Sequence, residues 1–313
     1  MNQGRTQYTP EDHWESVALA TEGVDPFCSA SDWCEAARAA WAPHLRPWIR
    51  PLEHGYLAFL VERSGLLRVL SPFDRMWGYS CPVLGTAAAA REAADEMLAE
   101  TQTWHLALIT GLARGSPLWN GLLASFRDRC ALGVGEVQRR WQASLDGYWD
   151  RRSRKLRHEL RRLGARAERA GVTVERADGD AASIYARILD IEARSWKGPA
   201  DTGLRNEEMR AFYRELVKRL HARDRLRVRF ARLQGEDIGY IAGGVIGDQY
   251  RGLQFSFDNR FRDLAPGNLM QRVEIDALIE EGFTVYDLGI DLPYKARWAD
   301  TCVETTTLVI RRL

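Results

Sequence analysis

Three carboxylates close apolar runs in the last quarter of the chain. Asp258 ends QYRGLQFSFD, while Asp287 and Asp291 flank Gly289. Acids at strand ends commonly cap loops or pair with arginine. Two of them around one glycine can also orient a cationic amine and accept its proton, provided burial raises one pKa. Between these sites Arg260 and Arg262 lead into Pro266-Gly267-Asn268-Leu269, where a turn opens a helix. Gly267 permits close backbone approach to an anion, and the first N–H groups and dipole of a helix favour negative charge there. Pro266 removes one donor from that set. An ordinary turn and helix start account for the same residues, so both readings stand.

A second charged feature lies at 151–169: nine arginines and lysines against Glu159 and Glu168. Such density suits RNA, DNA or a phosphorylated carrier. It carries no interleaved stacking aromatics and no nucleic-acid motif, so a solvated helix joining two halves is the alternative. The formal net charge of +1 argues against a surface built as a whole for polyanions. Five cysteines without a C-x-x-C pair, and histidines without H-x-x-x-H or H-E-x-x-H spacing, imply no disulfide framework and no metal site. The polar N-terminus does not read as a signal peptide, and no run reaches the ~18 apolar residues of a membrane helix. A cytoplasmic protein is expected.

These groups need elements to hold them. With 313 residues, 45% apolar and 28% charged, the chain is of globular type and long enough for two domains. Ser31 precedes DWCEAARAAW as a helix cap. GYLAFLVER and GLLRVLSPF form a hairpin about Arg63-Ser64-Gly65, followed by the Ala-rich helix TAAAAREAADEMLAETQ, the strand WHLALITGL and the helix PLWNGLLASFRDR. After one helix, YWDRRSRKLRHELRRLGARAERAG, the pattern repeats. Helices ASIYARILDIEARSW and NEEMRAFYRELVKRLHARD lead into strands RLRVRFARLQ, EDIGYIAGGVIG and QYRGLQFSFD. Then come the helix GNLMQRVEIDALIEEG, the strand FTVYDLG and a last strand ETTTLVIRR. Two mixed, mostly antiparallel sheets flanked by helices follow, an α+β class. The expected domains are 1–145, a basic connecting helix at 146–175, and 176–313.

The order strand–strand–strand–loop–helix–strand over 226–288 resembles the core of a GNAT acyltransferase domain. Glu192-Ala-Arg-Ser-Trp196-Lys197, Phe212-Tyr213, Phe257-Asp258, Ala265-Pro266-Gly267 and Asp287-Leu-Gly-Ile-Asp291-Leu-Pro-Tyr294-Lys295-Ala-Arg-Trp298 narrow this to the CelD-like or BcsL-like acetyltransferases. Those are related to the Fem-type peptidyltransferases, which carry two GNAT modules. The likeness spans nearly the whole chain, strongest from 185 to 300, and before 145 only Pro26-Phe27…Trp33 and Trp77-Gly-Tyr79-Ser-Cys-Pro82 echo it.

The resemblance implies a tandem GNAT fold whose N-terminal module is degenerate and shapes the acceptor side. It implies an N-acyltransferase using acyl-CoA, with coenzyme A or an acyl carrier protein as the acyl carrier and an amine of a small molecule or peptide as acceptor. The donor's pyrophosphate would lie at Arg260, Arg262, Pro266, Gly267, Asn268 and Leu269. Its thioester carbonyl would meet backbone N–H groups near Leu253, Gln254 and Phe255. Ala265 departs from the family-wide glycine, which leaves the donor's identity open. Asp258, Asp287 and Asp291 become candidate proton acceptors, and Tyr294 a donor to the leaving thiolate. Lys295 would face phosphate or the developing oxyanion, unless it is a solvated loop lysine. Trp196 and Lys197, with Trp77 and Tyr79 from the first half, would line the acceptor side. A Fem-like transfer from aminoacyl-tRNA and a non-catalytic scaffold or nucleic-acid binder remain as alternatives.

Overall fold

A computed structural model describes residues 10–100, 104–195, 204 and 206–313. The chain forms two compact units, Met1–Gln138 with Glu304–Leu313, and Arg139–Val303. Residues 304–313 thus count with the first unit and the basic segment with the second, whereas the sequence reading sets 176–313 and a separate connector.

The first unit opens with α1 (Pro10–Ala20), α2 (Pro26–Ser29) and α3 (Ser31–Trp41). Ser31 is the first residue of α3 rather than its cap; Ala30 takes the cap position and supplies no side-chain bond. Strands β1 (Arg46–Pro51), β2 (Gly55–Ser64) and β3 (Leu67–Ser71) follow in antiparallel register, and β4 (Val83–Gly85) also pairs with β2. The expected turn holds, with Gly65 at φ 62 where a side chain would be strained. Helix α4 (Ala87–Ala99) is capped by Thr86 and buries Ala89, Ala90, Ala93 and Ala94. Strand β5 (Leu106–Leu112) then returns parallel to β3. After α5 (Pro117–Phe126) the long β6 (Cys130–Ser144) runs on into the second unit. The C-terminal β12 (Thr301–Arg312) pairs with β5. Phe59, Leu60, Leu70, Phe73, Trp104 and Phe126 are core residues here.

In the second unit the expected single basic helix is two, α6 (Tyr148–Arg151) and α7 (Arg154–Arg169). Arg152 is extended at the break, because its guanidinium is drawn inward to Asp300 and to the Ala299 carbonyl at 2.7 Å. Ser153 then caps α7 through Leu156 N–H. Strand β7 (Thr173–Arg176), α8 (Ala181–Ala193), α9 (Glu207–Ala222), β8 (Leu226–Leu233), β9 (Glu236–Ile246) and β10 (Gln249–Phe257) lead to α10 (Pro266–Glu280) and β11 (Val285–Ile290). Strand order is β6-β11-β10-β9-β8-β7, antiparallel except for β10 and β11. Each unit therefore uses the same device, a helix carrying the chain back into a parallel strand: α4 from β3 to β5, and α10 from β10 to β11. This is the mixed α+β architecture the pattern predicts. The sequence reading omits β1, β4, β6 and β7. Those strands are short, lie at an edge, or, in β6, alternate too many polar residues to stand out.

Arg140 on β6, Arg251 on β10 and Asp287 on β11 meet below the surface. Asp287 Oδ2 accepts from Arg140 and from Gln142 Nε2 at 3.0 Å; Oδ1 accepts from Gly289 N–H at 2.7 Å and lies 3.2 Å from Arg251. Desolvation alone would raise this carboxyl. The two guanidinium charges and the hydrogen bonds outweigh it and hold the pKa below the usual range. On the neighbouring strand Tyr250 is fully buried with its ring over Gly243, where a Cβ would come within 2.2 Å of Cζ.

Two stability predictions follow from this packing. Gly243→Ala is expected to cost about 2 kcal/mol, since the Tyr250 ring must shift inside a packed core, while Leu66→Ser at a position 97% exposed stays within about 0.5 kcal/mol; urea unfolding checks both. Asp287→Asn removes a negative charge that faces two buried guanidiniums and is expected to cost about 3 kcal/mol at neutral pH. The native carboxyl's pKa is depressed, so its contribution is present above the unfolded value of about 3.9 and is lost as pH falls through the folded one. The stability gap between wild type and Asp287→Asn should therefore narrow below about pH 4; a gap as wide at pH 3 as at pH 7 contradicts the assignment.

Candidate active site

Strands β10 and β11 pair only from Gln249↔Val285 to Arg251↔Asp287. Beyond that point two irregularities turn them apart. Leu253 bulges out of the β9–β10 register between Gly252 and Gln254, and Leu288 bulges out of the β6–β11 register between Asp287 and Gly289. Gly289 takes φ 77, which lets its N–H turn back to Asp287. A cavity of about 200 Å³ opens where the strands separate. Gly252, Leu253, Gln254 and Phe255 form one side, Tyr286, Leu288 and Ile290 the other, and Tyr294, Lys295 and Trp298 close it from the following segment. The expected donor-strand residues are thus brought together.

Lys295 lies in a 3-10 turn, Pro293–Arg297, and is buried, with Nζ donating to the Ile290 carbonyl at 2.9 Å. Burial lowers its pKa to about 8, helped by the Arg251 charge and opposed by Asp287 and Asp291. It is not a solvated loop lysine. Tyr294 packs edge-on against Phe255, ring centroids 5.9 Å apart, and desolvation pushes its hydroxyl up to about 12, so it stays a neutral donor. Asp291 accepts from Trp141 Nε1 at 2.7 Å and is exposed between Ile290 and Leu292, both of which line the cavity.

The other two acids stand differently. Asp287 is saturated by the partners already described. Asp258 is buried away from the cavity lining and accepts from Arg260 N–H, from Arg194 Nε at 2.9 Å and from the Arg260 guanidinium at 2.7 Å. Its burial is offset by those arginines, and its pKa is lowered. A carboxylate held ionised by arginine is a weak base, so the condition set for a proton acceptor, a pKa raised by burial, is not met at Asp258 or Asp287. Arg260 is likewise occupied, bridging Asp258 and Glu236. Arg262 is exposed and, among the described residues, has no carboxylate partner, which makes it the available cation of the turn.

Ala265 enters α10 at φ 49, the left-handed conformation that the expected glycine would take without strain. Pro266 is the first helical residue, and the N–H groups of Gly267 and Asn268 have no intrahelical acceptor. A Cβ on Gly267 would meet the Phe255 ring at 3.2 Å, so this helix start sits against the donor strand. Leu269 is core, packed with Met270 and Ile241.

Trp196 and Lys197 lie outside the described residues. Trp77 and Tyr79 belong to the first unit, where Trp77 packs against Trp33 and Trp41 and Tyr79 is buried. Asp74 holds their loop by accepting from the N–H groups of Met76, Trp77 and Tyr79. Sequence reasoning missed Gly252, Gln271 and Tyr286 as cavity residues. Arg251 and Asp287, charges inside apolar strands, were the available sign that β10 and β11 meet there. Among the described residues, Glu53, His54 and Glu92 place possible metal-ligand atoms near one another at the surface of the first unit, with His54 Nδ1 already bonded to Glu92.

Residues 150–296 match the family model of the acetyltransferase (GNAT) domain. No curated protein matches. Among solved structures the fold is similar to that of FemX, with a TM-score of 0.65, 13% identity, and 95% of this chain and 96% of that one covered. A conserved protein of unknown function from Bacteroides thetaiotaomicron is similar at a TM-score of 0.64 and 12% identity, covering 96% of each chain. L-PGS from Bacillus licheniformis is similar at 0.59 and 11%, covering 97% of this chain and 92% of that one. The match falls on the second unit, where β10 and β11 part over a cavity beside the start of α10, and residues 150–296 form a GNAT acetyltransferase domain.

Proposed function

We propose that the protein is an N-acyltransferase that moves an acyl group from acyl-CoA to an amine, with donor and chemistry in the cavity between β10 and β11. The observation that carries this reading is the coincidence, in one cavity, of the released edge of β10 at Leu253–Phe255 and the buried Lys295. The donor's phosphates take the free N–H groups of Gly267 and Asn268, with Arg262 adding charge and Arg260 only bracing the turn. The thioester arm runs along β10 past Phe255, and its carbonyl oxygen turns toward backbone N–H at the Leu253 bulge. The amine nitrogen adds to the thioester carbon. Lys295, as ammonium, faces the oxygen while it carries negative charge. The C–S bond then breaks, Tyr294 protonates the leaving sulfur, and the amine's proton passes to Asp291, the acid not held by arginine.

A second reading, a Fem-like transfer from aminoacyl-tRNA, is favoured by one feature. The outward face of α7 carries Arg154, Lys155, Arg157, Arg161, Arg162, Arg166 and Arg169, none with a carboxylate partner among the described residues. A tRNA gel shift that titrates with salt and disappears on charge reversal of this face would transfer weight to it.

Calorimetry with acetyl-CoA and longer acyl-CoAs tests the first reading, and absence of heat with all of them removes it. Gly267→Val is expected to keep its fold while pressing on Phe255, and to weaken coenzyme A binding at least about tenfold. Lys295→Met is expected to lower kcat about 100-fold, read as thiol release in the presence of a panel of primary amines. The ammonium is the working form, so wild-type kcat should fall as pH rises through about 8, and Lys295→Arg should move that limb upward. A lysine whose folded pKa is depressed destabilises the protein below that pKa, an effect that fades as pH approaches the unfolded value of about 10.4. Lys295→Met should therefore match or exceed the wild-type Tm at pH 7, and a large drop would mean that the lysine is structural.

A further inference from the structure

The cavity is walled mainly by carbon, but its end at Gly252 is not. There Gln271, on α10, donates through Nε2 to the Tyr286 hydroxyl oxygen at 2.8 Å. Both side chains are at least nine-tenths buried, and both line the cavity. Among the described residues, the Tyr286 hydroxyl hydrogen and the Gln271 carbonyl oxygen then have no partner. Exchanging the Gln271 amide oxygen and nitrogen still leaves the pair with both free donor and free acceptor capacity. Leaving such groups dry costs stability, so a built pair of this kind implies something to bind. Desolvation pushes the Tyr286 hydroxyl well above its ordinary pKa, so it remains a neutral donor.

Position along the cavity says what that something is, and this step rests on the donor reading above. The phosphate-binding turn touches β10 at Phe255, through Gly267. A Cβ on Gly252 would lie 3.2 Å from the Tyr286 hydroxyl. A donor entering past Phe255 with its carbonyl at Leu253 therefore directs its acyl group toward Gly252, Tyr286 and Gln271, where the strands rejoin at Arg251↔Asp287. We infer that Tyr286 and Gln271 select a short acyl group that carries its own hydrogen-bonding function, a hydroxyl or an amide, near the thioester. The hydroxyl of such a group accepts from Tyr286 and donates to Gln271. A plain alkyl chain of the same length reaches the same place and leaves both groups unsatisfied. A site built to bond a hydroxyl discriminates strongly against the analogue that lacks it.

The test uses the full chain and calorimetry with 3-hydroxybutyryl-CoA, butyryl-CoA and acetyl-CoA, so that no acceptor need be known. The wild type is expected to bind 3-hydroxybutyryl-CoA at least about tenfold more tightly than butyryl-CoA. Tyr286→Phe and Gln271→Met, each checked for an unchanged Tm, should bring that ratio to about one by weakening the hydroxylated ligand alone. Equal wild-type affinity for the two chains, as when a water satisfies the pair, overturns the inference and leaves the donor reading standing. An undiminished preference in both variants overturns it as well. No binding of any of the three removes the donor reading, and this inference with it.

Discussion

The second unit depends on one carboxylate shared between two arginines. β10 and β11 are parallel neighbours, and the pairing of such strands would ordinarily continue along their length. Here it ends at Arg251↔Asp287, where Asp287 gathers Arg140, Gln142, Arg251 and the Gly289 N–H around its two oxygens. Buried charges of this kind tolerate little misplacement, because each unmet bond leaves a desolvated ion behind. The three strands are therefore pinned at that level, and the divergence above it is held open rather than left to collapse. The bulges at Leu253 and Leu288 lie immediately beyond the pin and turn the strands outward. The cavity is the space this pin prevents from closing.

The same cluster also acts on the proton affinity of Lys295. Arg251 lies near Lys295 and depresses its pKa, while Asp287 partly restores it, so the lysine's proton affinity is set by a pair whose first task is to hold strands. Asp258 plays the corresponding part at the other end of β10. It ties Arg194 at the end of α8 and Arg260 of the following turn to the strand end, and so fixes where α10 begins. Acids that look like catalytic candidates in one dimension are here fastenings of β10 and β11. The groups proposed to react, Lys295, Tyr294 and Asp291, come from the irregular segment after β11.

Much of this was legible beforehand because it is local. Helix periodicity, the Gly65 turn, the alanine-rich α4 and the turn at Ala265-Pro266-Gly267 are written in short windows, where propensity and capping decide the outcome. From them the mixed architecture and its repetition along the chain could be anticipated. Short or edge strands such as β1 and β7, and the polar-rich β6, escaped because pairing partners rather than composition make them strands.

What the sequence by itself determined is thus the set of elements and the turn chemistry that opens α10. It did not determine which charges would meet. Asp287 and Arg140 are 147 residues apart, and whether that aspartate is a base or a fastening depends on its neighbours across β6 and β10. Gln271 and Tyr286 read as ordinary helix and strand residues until folding sets them side by side at the end of the cavity. Whether Lys295 is a solvated loop lysine or a buried one is decided only when folding buries it. A pKa and a binding pocket are properties of surroundings drawn from distant parts of the chain, and only the tertiary structure supplies those.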